Sequence, residues 1–248
     1  MTEGDHRSPG VGRRFALACS VASGAYLLPG LASLPSLVPA LRPLRPLFGI
    51  SDETLDGHGY ALTFDDGPHP EGTPAVLELL AARGVKATFF LVGEQVARSP
   101  ALAAEIVAAG HGVGLHCDRH RNLMRLGPRA VGDDIARARE RIEDATGRQV
   151  EVYRPPYGIF NAAALRIAKH NGWRPLLWTH WGRDWEADAT AESIAQRLVG
   201  GEVAEGSVLL LHDADYYSAS GSWRRTLAAL PRVLDELDVR GLEATLAI

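Results

Sequence analysis

Tyr60-Ala-Leu-Thr-Phe64-Asp65-Asp66-Gly67-Pro68-His69-Pro70 is the stretch from which the rest of the chain can be read. A β-favouring apolar run ends abruptly in two adjacent carboxylates, and a Gly-Pro turn follows. Strand residues alternate faces, but the last residue of a strand and the first of the loop can both overlook the strand end. Asp65 and Asp66 can therefore reach one site. Two negative charges held that close are unfavourable unless a cation, an Arg or a shared proton compensates. In isolation the same residues describe an ordinary acidic turn. The surrounding chain decides between the two.

Downstream, apolar runs alternate with amphipathic ones. Thr73-Pro74 reads as a helix start, with Val76, Leu77 and Leu80 on one face and Gly84 as the stop. Ala87 to Val92 is a short continuous apolar run, the mark of a strand buried on both faces. The pattern predicts helices from Ser99 to Gly110, Pro128 to Gly147, Asn161 to Gly172, Thr190 to Gly200 and Ser222 to Leu237, with Pro231 kinking or restarting the last. Strands are predicted over Gly112–His116, Glu151–Arg154, Arg174–Thr179, Ser207–Leu211 and Leu242–Ile248. About seven strands alternating with six helices imply a parallel sheet of right-handed βαβ units. Roughly 190 residues is short for an eight-unit barrel, so an incomplete (β/α) barrel of about seven strands fits the count, with an open doubly wound sheet as the alternative. The first strand leads into Asp-Asp-Gly-Pro, not a Gly-x-Gly turn, so no dinucleotide fingerprint is present.

Working outward to the amino terminus, the first 57 residues differ from the rest. Arg13-Arg14 precede an apolar run from Phe15 to Leu28, and Leu, Pro and small residues continue to Leu41. A positive start and an apolar core resemble an export signal. The run to Leu41 is long enough to span a bilayer, but Pro29, Pro35 and Pro39 would break it. We expect a non-globular export or membrane-association segment, then a linker over 42–59, so that residues 1–57 are leader and 58–248 the catalytic domain. The net charge of −4 gives no basic footprint for nucleic acid. Cys19 and Cys117 do not suggest a disulfide framework.

The chemistry-capable residues all fall after strands. Asp65 and Asp66 follow the first. His116 ends another, with His120 four residues on. Arg154-Pro155-Pro156-Tyr157-Gly158, Asp184-Trp185 and Leu211-His212-Asp213 end three more. Parallel α/β folds place active sites on that carboxyl-end rim, and scattered structural polars would not choose it. His-x3-His is a zinc spacing, with both imidazoles on one face if the segment is helical. Two His and one carboxylate give three ligands and leave positions open for water and substrate, a catalytic arrangement. Cys117 points away from both histidines and reads as packing. His69, His111, His170 and His180 read as structural or solvated.

Thr63-Phe-Asp-Asp-Gly67, His116-x3-His120, Arg154-Pro-Pro-Tyr-Gly158, Asp184-Trp185 and Leu211-His212, in this order, resemble the polysaccharide deacetylases, the NodB-homology group or carbohydrate esterase family four. The resemblance covers about residues 58 to 248. It implies a distorted, incomplete (β/α) barrel with a divalent metal, most often zinc, acting on an acetylated glycan. It further implies Asp66, His116 and His120 as metal ligands, Asp65 as general base paired with Arg154, the Tyr157 N–H at the oxyanion, and His212 as general acid. Pro155, Asp184, Trp185 and Leu211 would line the substrate pocket, Trp185 and Leu211 around the acetyl methyl. The sequence departs from the family's Asp-x-x-Asp-Trp pattern at Trp181, where the carboxylate that tunes the catalytic His is expected; Asp184 or Asp213 would have to substitute. Cys117 is a second, minor departure. Two other functions fit the same motifs: an amidase acting on a small non-sugar amide, and a catalytically impaired carbohydrate-binding homologue.

Overall fold

A computed structural model describes residues 39–248. Strand β1 (Tyr60–Asp65) lies at the centre of a parallel sheet, paired with β2 (Thr88–Val92) on one side and β7 (Ser207–His212) on the other. Beyond β2 come β3 (Gly112–Cys117), β4 (Val152–Tyr153) and β5 (Arg174–Pro175). Beyond β7 comes β6 (His180–Trp181), so the order is β5-β4-β3-β2-β1-β7-β6. A short β8 (Ala244–Thr245) pairs with the start of β1. Every residue of β1, β2 and β3 is buried, as expected of strands covered on both faces.

Of the strand predicted over 174–179 only Arg174–Pro175 is found, as β5; β6 begins just beyond it, and the two pair with opposite edges of the sheet. Pro175 cannot donate to a ladder, which confines it to such a break. Because a few residues join both edges, the sheet must curl until they nearly meet. The result is a distorted, incomplete barrel. Ser51 bridges Leu176 and Glu53 bridges Ser207, so the segment expected as a linker is laid against the opening, with Ile50 buried in the core.

Among the described residues seven α-helices accompany the strands: α1 (Gly72–Arg83), α2 (Gly93–Arg98), α3 (Pro100–Ala108), α4 (Pro128–Thr146), α5 (Ala162–His170), α6 (Ala191–Val199) and α7 (Ser222–Val239). The short α2 has no counterpart in the periodicity. Asn161 caps α5 by accepting from Ala164 N, and Thr190 and Ser193 form a capping box on α6. Helix α7 continues through Pro231 without restarting. Thr73 lies inside α1, and its hydroxyl accepts from His69 N and donates to Asp213. No helix of the described residues is long and apolar enough to cross a membrane. The apolar stretch from Phe15 to Leu28, and the role expected for it, lie outside the described residues.

Parallel register fixes what faces the barrel interior. Asp65 is level with His212 and Phe90, and Thr63 is level with Leu210 and Thr88. Trp181 is level with Leu210. Laterally paired residues of parallel strands point to the same side, so these form successive layers beneath the carboxyl-end rim.

Candidate active site

The rim residues converge on a cavity of about 540 Å³ lined by, among others, Asp65, Asp66, His116, His120, Tyr157, Trp185 and His212. Asp66, Tyr157 and Arg183 have φ of 79°, 60° and 51°, and all three line it. No other non-glycine residue among those described has a positive φ. Backbone strain of this kind persists where surrounding structure enforces it, and here it is confined to one cleft. Gly67, following Asp66, has no room for a side chain, because a Cβ there would sit 2.5 Å from an Asp213 carboxylate oxygen.

Asp66, His116 and His120 are brought together with candidate ligand atoms within 4.8 Å of one another. The Nε2 atoms of both histidines lie 3.4 Å from Asp66 Oδ1. His116 Nδ1 is 2.8 Å from the Arg154 carbonyl, which can only accept, so Nδ1 carries the proton and Nε2 presents a lone pair. A lone pair thus faces a carboxylate oxygen that is buried and has no hydrogen-bond partner. A cation between two such acceptors would satisfy both, so the donor set fits a divalent metal. Burial pushes the His120 imidazole down to about 4 against the pull of Asp66, so at neutral pH it is uncharged, the form that ligates. Burial alone would raise the Asp66 carboxyl, but the closeness of the His116, His120 and His212 imidazoles holds it at about 2. The His-x3-His pair does not sit on a helix: His116 is in β3 and His120 in the loop beyond it. Buried Asp134 of α4 holds that loop, accepting from Asp118 N, Arg119 N and Arg121 Nη2.

Arg154 is fully buried and donates to Asp65 Oδ1 at 2.7 Å, to Thr63 Oγ1 and to the carbonyls of Leu176 and Leu177. Its guanidinium lies 4.0 Å over the Phe90 ring. Asp65 is therefore held in place beside the proposed ligand carboxylate. Tyr157 sits in a tight turn whose own hydrogen bonds run from Gly158 N to Pro155 and from Ile159 N to Pro156, leaving the Tyr157 N–H outside that pattern.

On the opposite side, His212 Nδ1 is 2.9 Å from Asp184 Oδ1. Asp184 Oδ2 also accepts from His212 N and Thr226 Oγ1. Burial lowers the His212 pKa, but the Asp184 charge and hydrogen bond, aided by Asp66 and Asp65, raise it to about 10. The carboxylate that orients His212 is thus Asp184, and Trp181 in the earlier motif position leaves the pair intact. Asp213 faces Gly67 and Thr73 instead, and burial raises its carboxyl to about 7.

Three expected pocket residues lie elsewhere. Leu211 points outward, toward the Ile194 and Leu198 side chains of α6, and its neighbour Leu210 lines the cavity. Asp184 is behind His212, fully buried, and Pro155 is buried below the turn. Two aromatic residues without a motif are added. Tyr217 stacks on His120 with ring centroids 4.3 Å apart, and its hydroxyl donates to Glu94. Trp178 lines the cavity beneath Trp181.

The family model for polysaccharide deacetylases matches residues 52–176. The chain belongs to the polysaccharide deacetylase family. A chitooligosaccharide deacetylase of Azorhizobium caulinodans is 36% identical over 187 residues, covering 73% of this chain and 88% of the relative. A peptidoglycan-N-acetylglucosamine deacetylase of Bacillus cereus is 35% identical over 73% of this chain and 82% of its own. Among solved structures, the Bc1960 peptidoglycan N-acetylglucosamine deacetylase in complex with 4-naphthalen-1-yl-N-oxidanyl-benzamide superposes with a TM-score of 0.74 at 28% identity, covering 81% of this chain and 92% of its own. A family 4 carbohydrate esterase from Streptomyces lividans, in complex with acetate, gives 0.67 at 32% identity over 75% and 91%. As a polysaccharide deacetylase this chain is a hydrolase of carbon–nitrogen bonds other than peptide bonds, and its family consists of metalloenzymes.

Proposed function

We propose that this polysaccharide deacetylase removes N-acetyl groups from an amino-sugar glycan, peptidoglycan or a chitooligosaccharide, using a divalent cation, zinc in our reading. The observation that carries this is the partnerless Asp66 Oδ1 facing two imidazole nitrogens, between a buried Asp65–Arg154 pair and a buried His212–Asp184 pair. Asp66, His116 and His120 would hold the cation, which supplies Lewis-acid polarisation and a lowered water pKa when bound. Asp65, its carboxylate anchored by Arg154, takes a proton from the attacking water. The Tyr157 N–H donates to the oxygen that gains charge as the carbonyl is attacked. His212 Nε2–H delivers a proton to the departing amine nitrogen, so the C–N bond breaks to give acetate and the free amino sugar. Each such acid or base contributes about 10²- to 10⁴-fold.

The names of the curated relatives support a glycan over a small amide, and retention of both acid–base pairs argues against an impaired homologue. An export or cell-envelope location, supported by Arg13-Arg14 and the apolar run after them, would place the enzyme beside such a substrate. The test is acetate release from chitooligosaccharide, peptidoglycan and acetylxylan, before and after chelation and zinc restoration. Activity on none of the three, or activity indifferent to chelation, would sink the reading.

A further inference from the structure

The cavity has a floor that the proposed catalytic groups do not explain. One layer below Asp65 and His212, toward the amino ends of the strands, Leu210 and Trp181 face the interior side by side. The ring of Trp181 is 5.7 Å from that of Trp178 and 5.3 Å from that of Trp185, and Trp185 meets the His212 imidazole edge-on at 5.5 Å. Leu210, Trp178, Trp181 and Trp185 give the cavity an apolar recess. Gly158 closes its near side, because a Cβ there would lie 2.6 Å from the Trp178 ring. An acyl group whose carbonyl is held at the cluster of Asp66, His116 and His120 would have this apolar part of the cavity open to its alkyl end. Indole side chains are the bulkiest available filling, and shortening Trp181, which packs between Trp178 and Trp185, would enlarge the recess.

We propose that Trp181 is a specificity-determining residue that sets the length of the acyl group this enzyme removes, restricting it to acetyl. The inference rests on the hydrolytic reading above. It makes Trp181 a gain for the reaction: the position that departs from the family pattern trades a charged side chain for an apolar stop beneath the acyl methyl. A recess matched to one methyl rejects each additional methylene by roughly ten- to two-hundredfold.

The test uses the full chain loaded with zinc and two probes, para-nitrophenyl acetate and para-nitrophenyl butyrate. The ratio of kcat/KM for butyrate to that for acetate is measured in wild type, Trp181→Phe and Trp181→Ala. A ratio cancels differences in active fraction and metal occupancy among the variants. The expected result is a ratio at least tenfold higher in Trp181→Ala than in wild type, with Trp181→Phe between them. A ratio within twofold of wild type in both variants would overturn the assignment while leaving the hydrolase reading untouched. Where wild type cleaves neither ester, the same ratio is read with N-butyrylated and N-acetylated chitooligosaccharide; failure on these as well would remove the hydrolytic reading of the site, and this inference with it.

Discussion

Asp184→Asn removes the charge behind His212 while keeping nearly the same shape. In the native protein one fully buried carboxylate takes three hydrogen bonds, two of them from the same histidine. Burial disfavours the imidazolium, so its pKa near 10 depends first on Asp184 and then on Asp66 and Asp65. Breaking a buried charged pair costs about 3 kcal/mol or more, which corresponds to roughly two pH units on His212. If His212 is the general acid, activity requires it protonated, so kcat/KM falls as pH rises through its pKa. The substitution should therefore bring that alkaline limb at least one pH unit lower and reduce kcat by about 10²- to 10⁴-fold at the optimum. Stability should respond with a defined sign. A histidine pKa raised above its ordinary 6.5 contributes stability that is fully present below pH 6.5 and lost as pH rises through about 10. The melting-temperature gap between metal-free wild type and variant should thus be widest below pH 6.5 and narrow above it. An asparagine amide also leaves one of the three donors without an acceptor, costing about 1–3 kcal/mol at every pH. The assay is a pH–rate profile with acetylated chitooligosaccharide, paired with thermal unfolding across the same pH range. An alkaline limb that stays where wild type has it would refute the link between Asp184 and the proton on His212, whatever happened to kcat.

Asp65→Asn should lose about 10²-fold or more in turnover while still binding one equivalent of zinc, whereas Asp66→Asn should lose the metal as well; equal metal content by elemental analysis would overturn that division of labour. Leu211→Ala should destabilise the protein by about 2–5 kcal/mol through a cavity against α6, read by denaturant unfolding, and leave KM unchanged. Leu210→Ala should raise KM or lower kcat for acetylated substrate, and the reverse pattern would place Leu211 in the cavity after all. Asp134→Ala should weaken zinc affinity about 10- to 100-fold by freeing the loop that carries His120, measured by competition with a chromogenic chelator; unchanged affinity would show that the loop holds its shape without Asp134.

The gathering of Asp65, Asp66, His116, His120, Arg154 and His212 was legible because parallel topology sends every strand's carboxyl end to one rim, so position along the chain stands in for position in space. Leu211 shows what that reasoning omits. A strand's side chains alternate, and an error of one residue moves a side chain to the opposite face. The information was present: if His212 faces the cavity, then Leu210 does and Leu211 cannot. The division of the segment 174–181 was likewise signalled by Pro175, which no central strand accommodates. Tyr217 and Asp134 carried no such signal: Tyr217 reaches His120 from a loop far away in sequence, and Asp134 acts on it indirectly, by holding the neighbouring loop residues from α4. Trp181 is the instructive case. Its sequence position made it look like the loss of a tuning carboxylate, but Asp184, three residues on, holds His212 from behind. A residue freed from tuning the acid is available to shape the recess beneath it. What reads in a linear motif as a missing function is in three dimensions a change in the shape of the site.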